Sequence, residues 1–379
     1  MNDKEMKRLF RGMEIEMDNL RIEQHLLPIG NSLQGFPSGN LDYFKRFGFK
    51  ISAIFSELYK KAGCPESDKY IPASLYFYYI NPYLLNLNLS MAYADKNAYS
   101  NLFPNVKQPQ TILKNINGKF IKEQSVDYLG FEQAIDLLKE NSKFIIKPAI
   151  ESGKGRDVIL IDKSLSYDEL KNILIQFNSD FIIQKVVEQH PLLSKLNPTS
   201  LNTARIYTYL PVGKLKHVVL GSAVRFGGPG AVRDNACAGG GFCKIHDDGH
   251  IDDKICQYKF WGRRSLIQEK GLKDFYFPSY QRAIELCLSL HTKLPYMDLV
   301  GWDIAIDING DPVLIELNQY PDCEFIQLFN GPMFGEYTDD LLMAIKDFNT
   351  KYLPVAKRSF GKMSSHHDYN FEIGKQYSI

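Results

Sequence analysis

Three oxygen-bearing side chains, Asp303, Glu316 and Asn318, fall in one short stretch, Gly301–Asp322, reading GWDIAIDINGDPVLIELNQYPD. Asp303 lies in an apolar run with strand character. Asn309-Gly310-Asp311-Pro312 turns the chain, and Val313-Leu314-Ile315 then leads to Glu316. Residues two apart on a strand share a face, so Glu316 and Asn318 point the same way. Pairing the two runs as a hairpin brings Asp303 beside them. Carboxylate and amide oxygens on a stiff scaffold suit a hard cation such as Mg²⁺, and a hard-cation site suggests phosphate chemistry. Acidic residues next to turns are commonly just solvated, so the hairpin needs support from the rest of the chain.

Three other segments supply it. In FIIKPAIESGKGRDV, Lys147 ends a buried-looking strand and must bring its ammonium to something negative, because an unpaired buried charge is costly. Ser152-Gly153-Lys154-Gly155 follows, where glycine lets backbone N–H groups approach phosphate oxygens. The spacing is not that of a Walker A loop. In FIIQKVVE, a strand running out through Gln184, Lys185, Val186 and Val187 offers backbone donors and acceptors beside apolar side chains, as an adenine edge and its faces require. Arg205, Arg225 and Arg233 arrive on or after strands, with Asn235 and Gly239-Gly240-Gly241 close behind. Arginine binds carboxylate or phosphate in a fork, and a glycine run can turn an N–H toward an oxyanion.

The elements that must hold these groups are legible in outline. Residues 1–95 read as mainly helical, opening on an amphipathic helix whose apolar stripe is Leu9, Met13, Met17 and Leu20. Residues 96–142 mix a strand near Thr111–Leu113, a turn at Asn115–Gly118 and a helix over 131–140. Residues 143–193 read strand, glycine turn, strand, helix, strand, the helix opened by the capping box Ser166/Glu169. Residues 194–350 carry β-rich runs, a helix over 279–294, the opening hairpin and a helix over 339–351. A polar tail, 351–379, is expected to be loosely ordered.

Composition bounds the function. The 45 Lys and Arg balance 44 Asp and Glu, which argues against a nucleic-acid binder held by bulk charge. None of the six cysteines forms a close CxxC pair, and they read as reduced cytosolic thiols. The N-terminus lacks the apolar core of a signal peptide. The stretch Ser74–Tyr93 is interrupted by Asn81, Pro82, Asn86 and Asn88, short of the about 20 apolar residues a spanning helix wants.

With lysine, glycine loop, hinge strand, Arg/Asn/Gly segment and Asp…Glu-x-Asn hairpin in this order, the chain resembles the ATP-grasp superfamily over about residues 94–345. ADKNAYSNLFPNVKQPQTI, SLNTARIYT and VVLGSAVRFGGPGAVRDNACAGGGF are most similar to its sugar-transfer-associated branch. The resemblance implies an α+β fold with two subdomains sandwiching ATP behind the helical N-terminal region. It implies that Lys96 and Lys147 reach the nucleotide phosphates and that Ser152, Gly153 and Gly155 close over them. Gln184, Lys185 and Val187 would read adenine, and Glu188 would hold the ribose. Asp303, Glu316 and Asn318 would bind Mg²⁺, two ions being expected, and Arg225, Arg233 and Asn235 would face an acyl phosphate and its acceptor. The implied activity is cytoplasmic, ATP-dependent ligation of a small carboxylate to an amine, in polysaccharide-related biosynthesis. A kinase-like phosphotransferase and a non-catalytic nucleotide-binding module are the alternatives. In many relatives glycine follows the proline after the metal glutamate, and here Asp322 follows Pro321, so a side chain is expected where an acceptor would sit.

Overall fold

The computed structural model describes residues 3–26, 34–37, 39–122, 127–150, 158–231, 240–257 and 264–346. The loop with Ser152, Gly153 and Gly155, the residues Arg233 and Asn235, Cys237 and the C-terminal tail lie outside these residues.

Two antiparallel sheets organise the chain. The first holds β1 (Thr111–Ile116), β2 (Lys119–Lys122), β3 (Tyr128–Leu129), β4 (Phe144–Pro148), β5 (Ile159–Ile161) and β6 (Phe181–Lys185), in the order β3-β2-β1-β6-β4-β5. Strands from the 96–142 segment therefore pair into the same sheet as those after residue 143. Asn117 and Gly118, both at positive φ, close the two-residue turn between β1 and β2, the geometry that matches strand twist. Leu113, Phe144, Ile146, Phe181 and Ile183 pack against the helices Phe131–Lys139 and Tyr167–Phe177. The capping box of the second helix forms, with Glu169 N–H donating to Ser166 Oγ and Ser166 N–H to Glu169 Oε2. The other face carries Lys114, Ile182 and Lys147, aligned across β1, β6 and β4.

The second sheet holds β7 (Thr203–Tyr209), β8 (Val218–Phe226) and β9 (Gly241–Ile245). After a small ribbon, β10 (Lys254–Ile255) with β11 (Arg264–Ser265), come β12 (Leu299–Ile306) and β13 (Pro312–Asn318), giving the order β13-β12-β7-β8-β9. Every residue of β12 is buried, because both faces are covered. Ile206, Val224, Trp302 and Ile304 lie over the helix Tyr280–His291. His291 is used in this core: its Nδ1 lies 2.7 Å from Thr208 Oγ1, and burial pushes its pKa down to about 3, so it stays neutral. On the opposite face Tyr207, Tyr209 and Leu299 are roofed by the helix Cys323–Asn330 and by the aromatic-rich region Phe44–Tyr79.

The connection between the sheets is stitched to β12. Ile308 N–H donates to the Glu188 carbonyl at 2.8 Å, and His190 N–H to the Ile306 carbonyl at 2.8 Å. Among the described residues, Cys64, Cys243, Cys256, Cys287 and Cys323 are buried free thiols. Among the same residues no helix is long and apolar enough to cross a membrane.

The N-terminal helix, Asp3–Arg21, docks differently from the expectation. Met17 touches the core, but Ile15 and Leu20 stay about half exposed. The contacts instead run along a polar stripe at helical spacing, Glu14, Asp18 and Arg21. Tyr79 Oη donates to Glu14, and the Ser74 N–H and hydroxyl donate to Asp18 at 2.7 and 2.8 Å. Burial pushes the Asp18 carboxyl up to about 7, against the Ser74 hydrogen bonds that favour its charged form. The native state thus binds a proton that the unfolded chain releases near pH 4, so stability falls as pH rises from about 4 to 7. Asp18→Asn is expected to flatten this slope, by up to a few kcal/mol across the window, in denaturant melts at pH 5 and 7.5. An unchanged slope would dismiss Asp18 as its source.

Candidate active site

The face of the second sheet that carries Tyr207 also carries the predicted hairpin residues, toward the β13 edge. Asp303 pairs directly with Glu316 across β12 and β13, and Gly301 with Asn318. The ladder slips beside them: Ile304 pairs with Leu314, which leaves Ile315 as an extra residue. Such a β-bulge re-aims the side chains next to it, and here it sets Glu316 opposite Asp303. Gly301 is required for a steric reason, since a Cβ there would meet Pro321 Cβ at 2.8 Å.

Asp303 is buried and held by two arginines from the neighbouring strands. Arg205 Nε and Nη2 donate to its two oxygens at 2.6 and 2.9 Å, and Arg225 Nη1 reaches both at 3.2 Å. Burial alone would raise the Asp303 pKa, but the guanidiniums overcome it and hold the carboxyl below its usual range. Arg225 was expected here. Arg205 has no assigned role from spacing alone, yet it makes the closer pair, because Arg205 and Asp303 are direct cross-strand partners. Asn318 Nδ2 lies 3.5 Å from Asp303 Oδ2.

The first sheet and the turn tethered to it contribute cations. Lys96 N–H donates to the Ala149 carbonyl, which tethers the Asp95-Lys96 turn to the end of β4, and Lys96 Nζ lies 2.9 Å from Glu316 Oε1. Lys147 stands nearby on β4. Burial and the Lys96 ammonium push its pKa down to about 8, with Glu316 partly offsetting them. Tyr99 Oη accepts from the Leu317 N–H, fixing the strand beside Glu316. Two carboxylates and an amide from one sheet thus lie near Lys147 of the other sheet and Lys96 of the turn tethered to it. That is a hard-oxygen donor set beside an anion cradle, and it fits a divalent cation with phosphate oxygens. Asp303 would then have to share its carboxylate with the arginines.

The hinge residues are only partly turned to this space. Gln184 is buried and donates through Nε2 to the Pro109 carbonyl and Thr111 Oγ1, so its side chain ties β6 to the preceding segment. Lys185 N–H goes to the Gln110 carbonyl. Lys185 and Glu188 are exposed, and Val187 is half-buried.

Both carboxylate oxygens of Asp322 are engaged within the protein. Its Oδ1 accepts from the Glu324 and Phe325 N–H groups, making it the N-cap of the helix Cys323–Asn330 at an ordinary φ of −64°. Its Oδ2 accepts from Arg21 at 2.6 Å, and Arg21 also grips Glu324. The aspartate therefore anchors the N-terminal helix to the end of the hairpin. Asp322→Ala is expected to cost about 1–2 kcal/mol in thermal melts through loss of the cap. A melting curve identical to the parent would refute that role.

A family model described as sugar-transfer associated ATP-grasp matches residues 79–338. Comparison with curated proteins finds no match. Solved structures similar to the chain include the ATP-grasp ligase PsnB, at 13% identity over 68% of this chain and 63% of that one, with a TM-score of 0.38. N5-carboxyaminoimidazole synthetase from Staphylococcus aureus matches at 11% identity over 67% of this chain and 52% of that one, TM-score 0.39. D-cycloserine synthetase DcsG matches at 14% identity over 66% of this chain and 70% of that one, TM-score 0.38. The chain thus spans about half the length of the carboxyaminoimidazole synthetase. With a family match over most of the chain, the protein belongs to the sugar-transfer-associated ATP-grasp family and has the ATP-grasp fold.

Proposed function

We propose that the protein is an ATP-dependent ligase joining a small carboxylate to an amine through an acyl phosphate. The observation that carries this reading is the gathering of Lys147 from one sheet, Glu316 and Asp303 from the other, and Lys96 from the turn between them. Phosphoryl transfer depends on positioned charge more than on acid–base groups, which suits a site built from lysines, arginines and carboxylates. Asp303, Glu316 and Asn318 would hold Mg²⁺, which when bound supplies neutralising charge to the phosphates.

In this reading Lys96 and Lys147 bind phosphate oxygens, while the segment at 184–188 lies along adenine. The substrate carboxylate oxygen attacks the γ-phosphorus, forming the acyl C–O–P link as the bond to ADP breaks. The amine then attacks the acyl carbon, loses a proton and expels inorganic phosphate. Arg225 and Arg205, displaced in part from Asp303, face the developing oxyanion, an effect worth roughly 3–4 kcal/mol per well-placed donor. Ser152, Gly153 and Gly155 are assigned by position in the sequence to closing over the phosphates, and Arg233 and Asn235 to facing the acyl phosphate and its acceptor. The family's association with sugar transfer supports a substrate from polysaccharide-related metabolism.

An ADP-release screen of uronic acids and short peptides against amino acids tests the reading. An amide product, with positional-isotope exchange in ATP on adding the carboxylate alone, is expected. A stable phosphorylated product would replace the ligase by a phosphotransferase, and nucleotide binding without turnover would leave a binding module.

A further inference from the structure

Two hydrogen bonds from the segment after Lys96 bracket the bulge that carries Glu316. Among the described strands β13 is the outermost of its sheet, so the amides on its far side have no ladder partner. In a regular strand such outward amides recur at every second residue. Here they are three apart, at Leu314 and Leu317, because Ile315 is the extra residue. Leu314 N–H donates to the Lys107 carbonyl at 2.9 Å, and Leu317 N–H to Tyr99 Oη at 3.0 Å. Glu316 therefore sits between two pinned points, and its carboxylate meets Lys96 from the same covering segment.

Of the two pins, only Tyr99 acts through a side chain. It is 3% exposed, and its ring lies edge-on to Phe103 with centroids 5.9 Å apart. Its own carbonyl accepts from the Phe103 N–H at 2.8 Å and from Gln108 Nε2 at 3.2 Å. A packed turn thus delivers the hydroxyl to the strand edge. The bulge needs such a fixture, because an extra residue disrupts the ladder locally. Without the hydroxyl the Leu317 amide is a buried donor with no acceptor, a costly state that the strand relieves by shifting. Any shift carries Glu316 and Asn318 with it, since they flank Leu317. Mg²⁺ tolerates little displacement of its ligands, demanding near-octahedral geometry at about 2.0–2.1 Å.

We propose that Tyr99 is a positioning residue for the cation site. Its hydroxyl holds the bulged edge of β13 so that Glu316 and Asn318 keep the spacing to Asp303 that a divalent cation needs. Tyr99 acts through Leu317 and is not itself a ligand. The inference rests on the reading of Asp303, Glu316 and Asn318 as the metal site, and adds the residue that sets their geometry.

Calorimetric titration of ADP into the full chain, in EDTA and at a series of Mg²⁺ concentrations, tests it without turnover. The parent should bind ADP more tightly as Mg²⁺ rises. Glu316→Gln should move the Mg²⁺ midpoint of that rise up by at least about tenfold, which checks the metal reading by itself. Tyr99→Phe keeps the ring and loses only the hydroxyl. It should move the midpoint up about tenfold while leaving ADP affinity in EDTA within about twofold of the parent. Gln108→Ala loosens the same turn without touching Leu317, and should move the midpoint the same way by a smaller factor. It stands in for Tyr99→Phe should that variant fail to fold. Ser166→Ala, which uncaps the helix Tyr167–Phe177 away from the site, is the control for lost stability and should leave the midpoint unchanged. An unchanged midpoint in Tyr99→Phe, or in its stand-in, beside a shifted one in Glu316→Gln would overturn the inference and leave the metal reading standing. An unchanged midpoint in Glu316→Gln would remove both. Equal weakening in EDTA and in Mg²⁺, or an equal shift in Ser166→Ala, would reduce Tyr99 to a purely structural residue.

Discussion

Glu316→Gln should lower ATP turnover by roughly a thousandfold or more while leaving the melting temperature close to that of the parent. The size follows from removing one charged oxygen donor from a cation that supplies several kcal/mol of charge stabilisation, each 1.4 kcal/mol being about tenfold in rate. Glu316 is a cleaner test than Asp303. Its partner Lys96 is 5% exposed, but the glutamine oxygen can still accept from that ammonium, and the Glu316 side chain is itself 31% exposed, so the amide can be solvated. Asp303 is the counter-charge of both Arg205 and Arg225. Asp303→Asn would leave those guanidiniums buried and uncompensated, a change that commonly costs about 3–5 kcal/mol. Loss of activity there would confuse folding with metal binding. Full turnover by Glu316→Gln, at the parent's Mg²⁺ requirement, would remove the metal assignment.

Lys147→Met is expected to weaken ADP binding about 10- to 100-fold, the range for losing a hydrogen bond to a charged group. It should also abolish a proton-linked signature. With its pKa down at about 8, Lys147 is roughly half protonated at that pH in the free protein. A phosphate oxygen favours the charged form and raises the pKa. Binding at pH 8 should therefore take up about half a proton, visible as a dependence of calorimetric enthalpy on buffer ionisation. Affinity should decline as pH rises above 8, and the variant should show neither effect. The same lysine lowers stability. Because the folded pKa lies below the unfolded value of 10.5, unfolding takes up a proton between pH 8 and 10.5, and stability rises with pH across that window. Lys147→Met should then melt above the parent at pH 7, the usual trade of function for stability. Equal ADP affinity in parent and variant would take Lys147 out of the site.

Both predictions concern groups named from the sequence, while their partners come from the folded chain. Asp303, Glu316 and Asn318 are visible in one dimension because a hairpin keeps contacting residues close in sequence. The bulge at Ile315 that sets Glu316 opposite Asp303 is not visible, since strand alternation carries no sign of an extra residue. Arg205 pairs with Asp303 from 98 positions away, and Arg21 with Asp322 from 301. Asp322 illustrates the same limit. Compared with relatives it puts a side chain where an acceptor would sit, and in space that side chain caps one helix and anchors another.

The N-terminal helix shows how a local pattern can mislead. The stripe of Leu9, Met13, Met17 and Leu20 is real helical periodicity, and the helix forms. Which stripe faces inward depends on donors and acceptors waiting on other elements, here Ser74, Tyr79, Asp322 and Glu324. By itself, the sequence determined the strands, the capped helices, the order of the motifs and the chemical type of the site, because turn residues, caps and periodicity act over a few residues. Only the tertiary structure decided which charges compensate which, how Asp322 is used and what Tyr99 holds. Those outcomes rest on cross-strand register and long-range burial, which bring together groups that no local spacing relates.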